Sequence, residues 1–131
     1  MTTSSNYTAA LGRIMMAAIF LASGFQKILT PEQTQQYIAS VNMPAPVIAY
    51  WGAVAIELIG GLMLLLGFAT RIVAFVLAIF SLTAAAFFHS NFADQNQVIN
   101  FMKNIAISGG LLQVVAFGSG GLTLNRMRGA D

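Results

Sequence analysis

A single carboxylate, Glu57, sits in the middle of a run otherwise fit for hydrocarbon, AVAIELIGGLMLLLG from Ala53 to Gly67. An ionisable side chain at that depth in a bilayer is costly unless it is protonated, paired or hydrated, so it marks a functional site and demands partners. Lys27, His89 and Lys103 each lie near the end of another apolar segment and can supply them. A carboxylate and an imidazole can pass protons, and an ammonium can polarise an oxygen in a low-dielectric cleft. Tyr50, two turns before Glu57, shares its helical face and adds a hydroxyl, while Asn104 adds an amide beside Lys103.

The elements that position these groups follow from composition. Of 131 residues, 57% are hydrophobic and 8% charged, where a soluble domain carries about 25% charged residues. Mean hydropathy is +0.76. Such a chain belongs in the lipid bilayer. A net charge of +2 without a basic stripe excludes nucleic acid as a partner. Cysteine is absent, which excludes disulfides, thiolate catalysis and Cys-ligated metal centres within this chain. A lone histidine with no other soft ligand makes no metal site. Redox chemistry here requires a bound cofactor, a quinone or a partner subunit.

In order, residues 1–7 are small, polar and expected to fray. Residues 8–29 form the first transmembrane segment; no basic region precedes Arg13 as in a cleaved leader, and three more apolar segments follow. Thr30, Pro31 and Gln33 spell a capping box opening a short helix over about 31–41, with Tyr37, Ile38 and Val41 on one face. Too short to span, it is expected to lie in the interface over the bundle. Segments two, three and four cover about 46–66, 71–89 and 98–117, with Tyr50 and Trp51 at a headgroup boundary and a polar loop at 90–97. The fold expected is all-α: one integral-membrane domain over residues 1–131, a four-helix bundle with a short interfacial helix between segments one and two.

Four spans put both termini on one face. Arg13, Arg71, Arg126 and Arg128 fall there, so the positive-inside rule places both termini in the cytoplasm of a bacterial inner membrane. A weak echo, Gly12-Arg13-Ile14 with Thr70-Arg71-Ile72, suggests a duplicated hairpin. Arg13 and Arg71 read as side chains that snorkel to the surface, and the methionines as packing and lipid contact. Glu57 lies eleven residues into segment two, roughly 16 Å below the outer surface. Lys103 is the favoured partner, because its helix also offers Asn104 and the Gly109-Gly110 close-approach patch, with His89 conferring pH sensitivity. A purely structural ion pair that fixes helix order fits the same residues.

Phe20-Leu21-Ala22-Ser23-Gly24-Phe25-Gln26-Lys27, Glu57-Leu58-Ile59-Gly60-Gly61, Leu66-Gly67-Phe68-Ala69-Thr70-Arg71, Phe88-His89-Ser90-Asn91-Phe92 and Phe101-Met102-Lys103-Asn104 occur in an order that resembles the DoxX family, over about residues 8–125. The resemblance implies a small four-helix inner-membrane protein, similar to a subunit of a quinol oxidase or a thiosulfate:quinone oxidoreductase, with links to thiol or oxidative stress. Two functions stay open. One is a quinone- or quinol-linked redox subunit, with Glu57 and His89 moving protons, Lys27 or Lys103 polarising a ring oxygen, and a soluble or membrane partner handling electrons. The other is a non-enzymatic module, either a small-solute carrier, which requires a homo-oligomer, or a scaffold recruiting a soluble redox enzyme.

Overall fold

The computed structural model describes residues 2–124. Its helices are α1 Thr3–Leu29, α2 Pro31–Ser40, α3 Pro46–Leu66, α4 Thr70–Phe88 and α5 Gln95–Phe117. Four of them, α1, α3, α4 and α5, are long and apolar enough to cross a membrane. The result is an all-α, four-helix membrane bundle. The end that carries the start of α1, the α3–α4 turn and residues 118–124 is termed inner, and the end that carries α2 and the 89–94 loop outer, as labels for the two ends of the bundle.

Local hydrogen bonding sets the helix ends. α1 starts at Thr3, five residues before the expected span and within the stretch expected to fray, because the Thr2 hydroxyl accepts the Ser5 N–H at 3.0 Å. α5 begins three residues early for the same reason: Asp94 accepts the Asn96 N–H at 2.9 Å. α2 opens at Pro31 as the sequence predicts, but the capping box is not made. Thr30 also terminates α1, and its hydroxyl donates to the Gln26 carbonyl at 3.0 Å, satisfying an orphan acceptor of the preceding helix.

The buried faces recur at three- and four-residue spacing. α1 buries Ala10, Arg13, Ala17, Phe20 and Gly24, α3 buries Tyr50, Val54, Glu57, Gly61 and Leu64, and α5 buries Ser108, Leu111 and Val114. In the inner half, Ala17, Phe20, Leu64, Ala74, Leu77, Ala78 and Leu111 make a closed apolar core. A separate outer cluster of Ile38, Tyr50 and Val54 fastens α2 to α3. α3 is interrupted by a π-helical turn at Ile56–Gly60, which carries Glu57. Such turns insert a residue into the helix and often mark functional sites.

At the inner end, Gly67 closes α3 with φ of 69°, a left-handed conformation that glycine adopts without strain. A Cβ there would stand 2.6 Å from that of Thr123. Arg13 is the centre of this region, and it does not snorkel. It is 1% exposed. One guanidinium nitrogen donates to the carbonyls of Ser119 at 2.7 Å and Gly121 at 3.3 Å. The other donates to those of Leu65 at 3.3 Å and Leu122 at 3.0 Å. Arg71 plays a looser version of this part, donating to Val115 and Ala116 carbonyls at 3.5 and 3.4 Å from an exposed position. Both arginines therefore satisfy carbonyls at the C-terminal end of a later helix. Arg126 and Arg128, counted above among the inner-face charges, lie outside the described residues.

Because only a guanidinium presents donors in a planar fork, Arg13→Lys is expected to destabilise the folded protein by about 2 kcal/mol. Arg71→Lys should cost about 0.5 kcal/mol or less, its bonds being long and exposed. Reversible unfolding in mixed detergent micelles measures both, and equal small effects would contradict the buried role of Arg13.

Candidate functional site

Glu57 and Lys27 form an ion pair, with Lys27 Nζ 2.6 Å from Glu57 Oε1 and side-chain exposures of 27% and 3%. Gly24 makes the approach possible. A Cβ at that position would lie 2.8 Å from the Leu58 side chain and 3.2 Å from the Glu57 Cβ, so a larger residue would push α1 away from α3. Glu57 is thereby level with Gly24, five residues from the end of α1, or about 8 Å below that end. The depth of roughly 16 Å counted along α3 is larger because the first turns of α3 rise past α1 and pack beside α2.

Lys103, favoured by the sequence as the partner of Glu57, is not in contact with it. It is exposed. The bundle-facing side of α5 runs through Asn104, Ser108 and Leu111, and Lys103, one residue before Asn104, points about 100° away from that line. Tyr50 shares the face of Glu57 as expected, yet its hydroxyl turns to the backbone, donating to the Lys27 carbonyl at 2.7 Å. Lys27 is thus held at both ends from one face of α3: at its carbonyl by Tyr50 and at its ammonium by Glu57.

These groups border a cavity of about 400 Å³ in the outer half of the bundle. Ser23 and Lys27 of α1, Thr34 and Tyr37 of α2, Ala53 and Glu57 of α3, Phe80, Ser81 and Phe88 of α4, His89, and Asn104 and Ile107 of α5 all line it. Tyr37 ties α2 to the end of α4. Its ring stacks on Phe88 with centroids 5.3 Å apart, and its hydroxyl donates to the Phe88 carbonyl at 3.2 Å. Two buried polar atoms at this cavity have no hydrogen-bond partner among the described residues: Glu57 Oε2 and His89 Nδ1. Buried acceptors and donors are rarely left so. Burial holds the His89 imidazole below its ordinary range, which keeps it neutral near pH 7 and able to accept a proton or a hydrogen bond.

The site therefore offers one carboxylate oxygen, the remaining ammonium hydrogens of Lys27, and a neutral imidazole around an aromatic-walled space. An ammonium and a carboxylate of this kind can donate to a carbonyl and accept from a hydroxyl. Among the described residues no group of three His, Asp or Glu side chains converges as metal ligands. Arg13, Ser23, Ser81 and Tyr37 were not singled out from the sequence as parts of a polar interior. The run Ala10, Arg13, Ala17, Phe20, Gly24, Lys27 carries a signal for the first, since it puts both cations of α1 on one helical face. Nothing in the sequence marks the π-helical turn.

Breaking a buried pair strands a charge, whereas removing both charges does not. Lys27→Met is expected to destabilise the folded protein by about 2 kcal/mol, moderated by the partial exposure of Lys27. Adding Glu57→Gln to it should restore most of that loss, as a double-mutant cycle in detergent reads directly. Additive costs would show that the two residues are not coupled.

Residues 8–90 match the DoxX family model. The inner membrane protein YqjF of Escherichia coli (strain K12) is 38% identical over 117 residues, covering 89% of this chain and 88% of the relative. The inner membrane protein YphA of the same organism is 33% identical over 121 residues, covering 88% and 86%. CatD of Bacillus subtilis (strain 168), whose name proposes an oxidoreductase, is 40% identical over 67 residues, 51% of this chain and 48% of that protein. No solved structure matches. The family-model match and the two long similarities rest on the same chain that forms the four-helix membrane bundle described above: it belongs to the DoxX family of small inner-membrane proteins.

Proposed function

We propose that the protein is a quinone- or quinol-linked subunit of a membrane redox system, and that the outer cavity holds the ring. The observation that carries this reading is the unpartnered Glu57 Oε2, buried beside the Lys27 ammonium on an aromatic-walled cavity. At about 400 Å³ the space lies within the range of small-ligand pockets, about 300–1,000 Å³. A ring with an oxygen at each end suits a site whose polar groups stand apart. Glu57 and Lys27 flank one part of the wall, and His89 lies near the mouth. The name of CatD, which proposes an oxidoreductase, supports the same class of chemistry.

In this reading Lys27 donates to a ring oxygen, Glu57 Oε2 accepts from a ring hydroxyl, and His89 relays the proton to the outer surface. A bound quinol supplies two electrons and two protons when oxidised. The chain itself has no cysteine, so the electrons pass to a partner that carries its own redox group. We read α2 as an interfacial lid over the site and both termini as cytoplasmic, on the support of Arg13 and Arg71 at the inner end.

Titration of the purified protein in detergent with a short-chain ubiquinol is expected to show saturable binding. Glu57→Gln should weaken it about tenfold, the worth of a hydrogen bond to a charged group. Ala53→Phe, which fills the cavity, should abolish it. An unsaturable isotherm, or affinity unchanged in both variants, would rule the reading out.

A further inference from the structure

The cavity lies in the half of the bundle that carries α2, and this gives the site a direction. Its polar lining is Thr34 and Tyr37 of α2, Ser23 and Lys27 of α1, Glu57, Ser81, Thr83, His89 and Asn104. On the inner side the continuity stops. Phe20 forms the boundary, and behind it Ala17, Leu64, Leu77 and Leu111 are all fully buried. Among the described residues the polar side chain that bonds into that layer is Ser108, whose hydroxyl donates to the Ala78 carbonyl at 3.3 Å and does not titrate. Below it the Arg13 guanidinium is engaged by four backbone carbonyls and closes the inner end. A dry layer of close-packed aliphatic side chains carries neither water nor protons.

The geometry points to one-sided proton exchange: Glu57 trades its proton with the aqueous phase on the α2 side of the membrane and is insulated from the side of the termini. The titratable groups facing it are Lys27 from α1, Tyr37 from α2 and His89 at the end of α4. Among the described residues, α5 contributes Asn104 and Ile107 to the cavity, which do not titrate, and Lys103 faces outward. Every titratable neighbour therefore lies on the outer side of the carboxylate. A proton that Glu57 takes from a bound hydroxyl leaves to that side, whatever molecule carries the hydroxyl. The inference rests on the cavity as the site and not on the ligand being a quinol.

The absence of cysteine in the chain makes the test direct. Single cysteines are introduced at Ser23 and Ala53 in the cavity wall, and at Ser4 and Gln95 as markers of the two ends. A small, charged, membrane-impermeant thiol reagent is then applied to intact cells and to inverted membrane vesicles. Ser23→Cys and Ala53→Cys are expected to react from the side that labels Gln95→Cys and to lose all reaction from the side that labels Ser4→Cys. Ser23→Cys is close to isosteric and guards against misfolding of the other variant. Reaction from the Ser4 side, or from neither side while Gln95→Cys still labels, would overturn the inference. Ubiquinol titration of the same variants separates the outcomes: binding with two-sided labelling defeats the direction alone, and one-sided labelling without binding defeats the quinol reading alone. Whichever compartment labels Ser4→Cys also identifies the membrane orientation.

Discussion

One ion pair constrains the rest of this bundle. A carboxylate that is 3% exposed within a membrane span must be compensated, and the nearest ammonium is Lys27, 2.6 Å away. Meeting that requirement dictates where α1 and α3 cross, since only a residue without a side chain at Gly24 lets their backbones come close enough. A second bond ties the same residue to α3, because the Tyr50 hydroxyl donates to the Lys27 carbonyl at 2.7 Å. The crossing of the first two spans follows from placing one charge opposite another.

The two halves of the bundle meet their polar requirements differently. In the inner half, a buried guanidinium distributes its donors over four carbonyls, and the surrounding side chains close around it. One buried polar atom, Thr70 Oγ1, has no hydrogen-bond partner there among the described residues. In the outer half the carboxylate uses one oxygen and keeps the other free, and an imidazole nitrogen is likewise unengaged. The residues that carry these atoms in the outer half line a cavity of about 400 Å³, which supports reading the polar site as more than a helix-ordering device.

Much of the fold was legible in the sequence because hydrocarbon solvent leaves few options. Spans, turns and the short helix at Pro31–Ser40 follow from apolar length, glycine and proline. The site was less legible, for a geometric reason. Sequence proximity suggested Lys103 with Asn104, but α5 turns the amide inward and the ammonium outward. The spacing Asn104, Ser108, Leu111 holds that information, as does Arg13 falling on the face of Gly24 and Lys27. Other features depended on contacts between distant segments. Thr30 abandons its own helix for the Gln26 carbonyl, and Arg13 finds three of its four acceptors more than a hundred residues away, which no local pattern encodes.

The central claim is the identity of the group that holds Glu57. The chain has two lysines, Lys27 and Lys103, and two glutamates, Glu32 and Glu57, so isotopic labelling of both residue types gives few signals. Solid-state NMR in bilayers can measure dipolar dephasing of glutamate carboxyl carbons by lysine ammonium nitrogens. The account predicts strong dephasing of the Glu57 carboxyl that survives Lys103→Met and vanishes in Lys27→Met. Dephasing that vanishes instead in Lys103→Met, or a Glu57 carboxyl with no ammonium nearby, would contradict it.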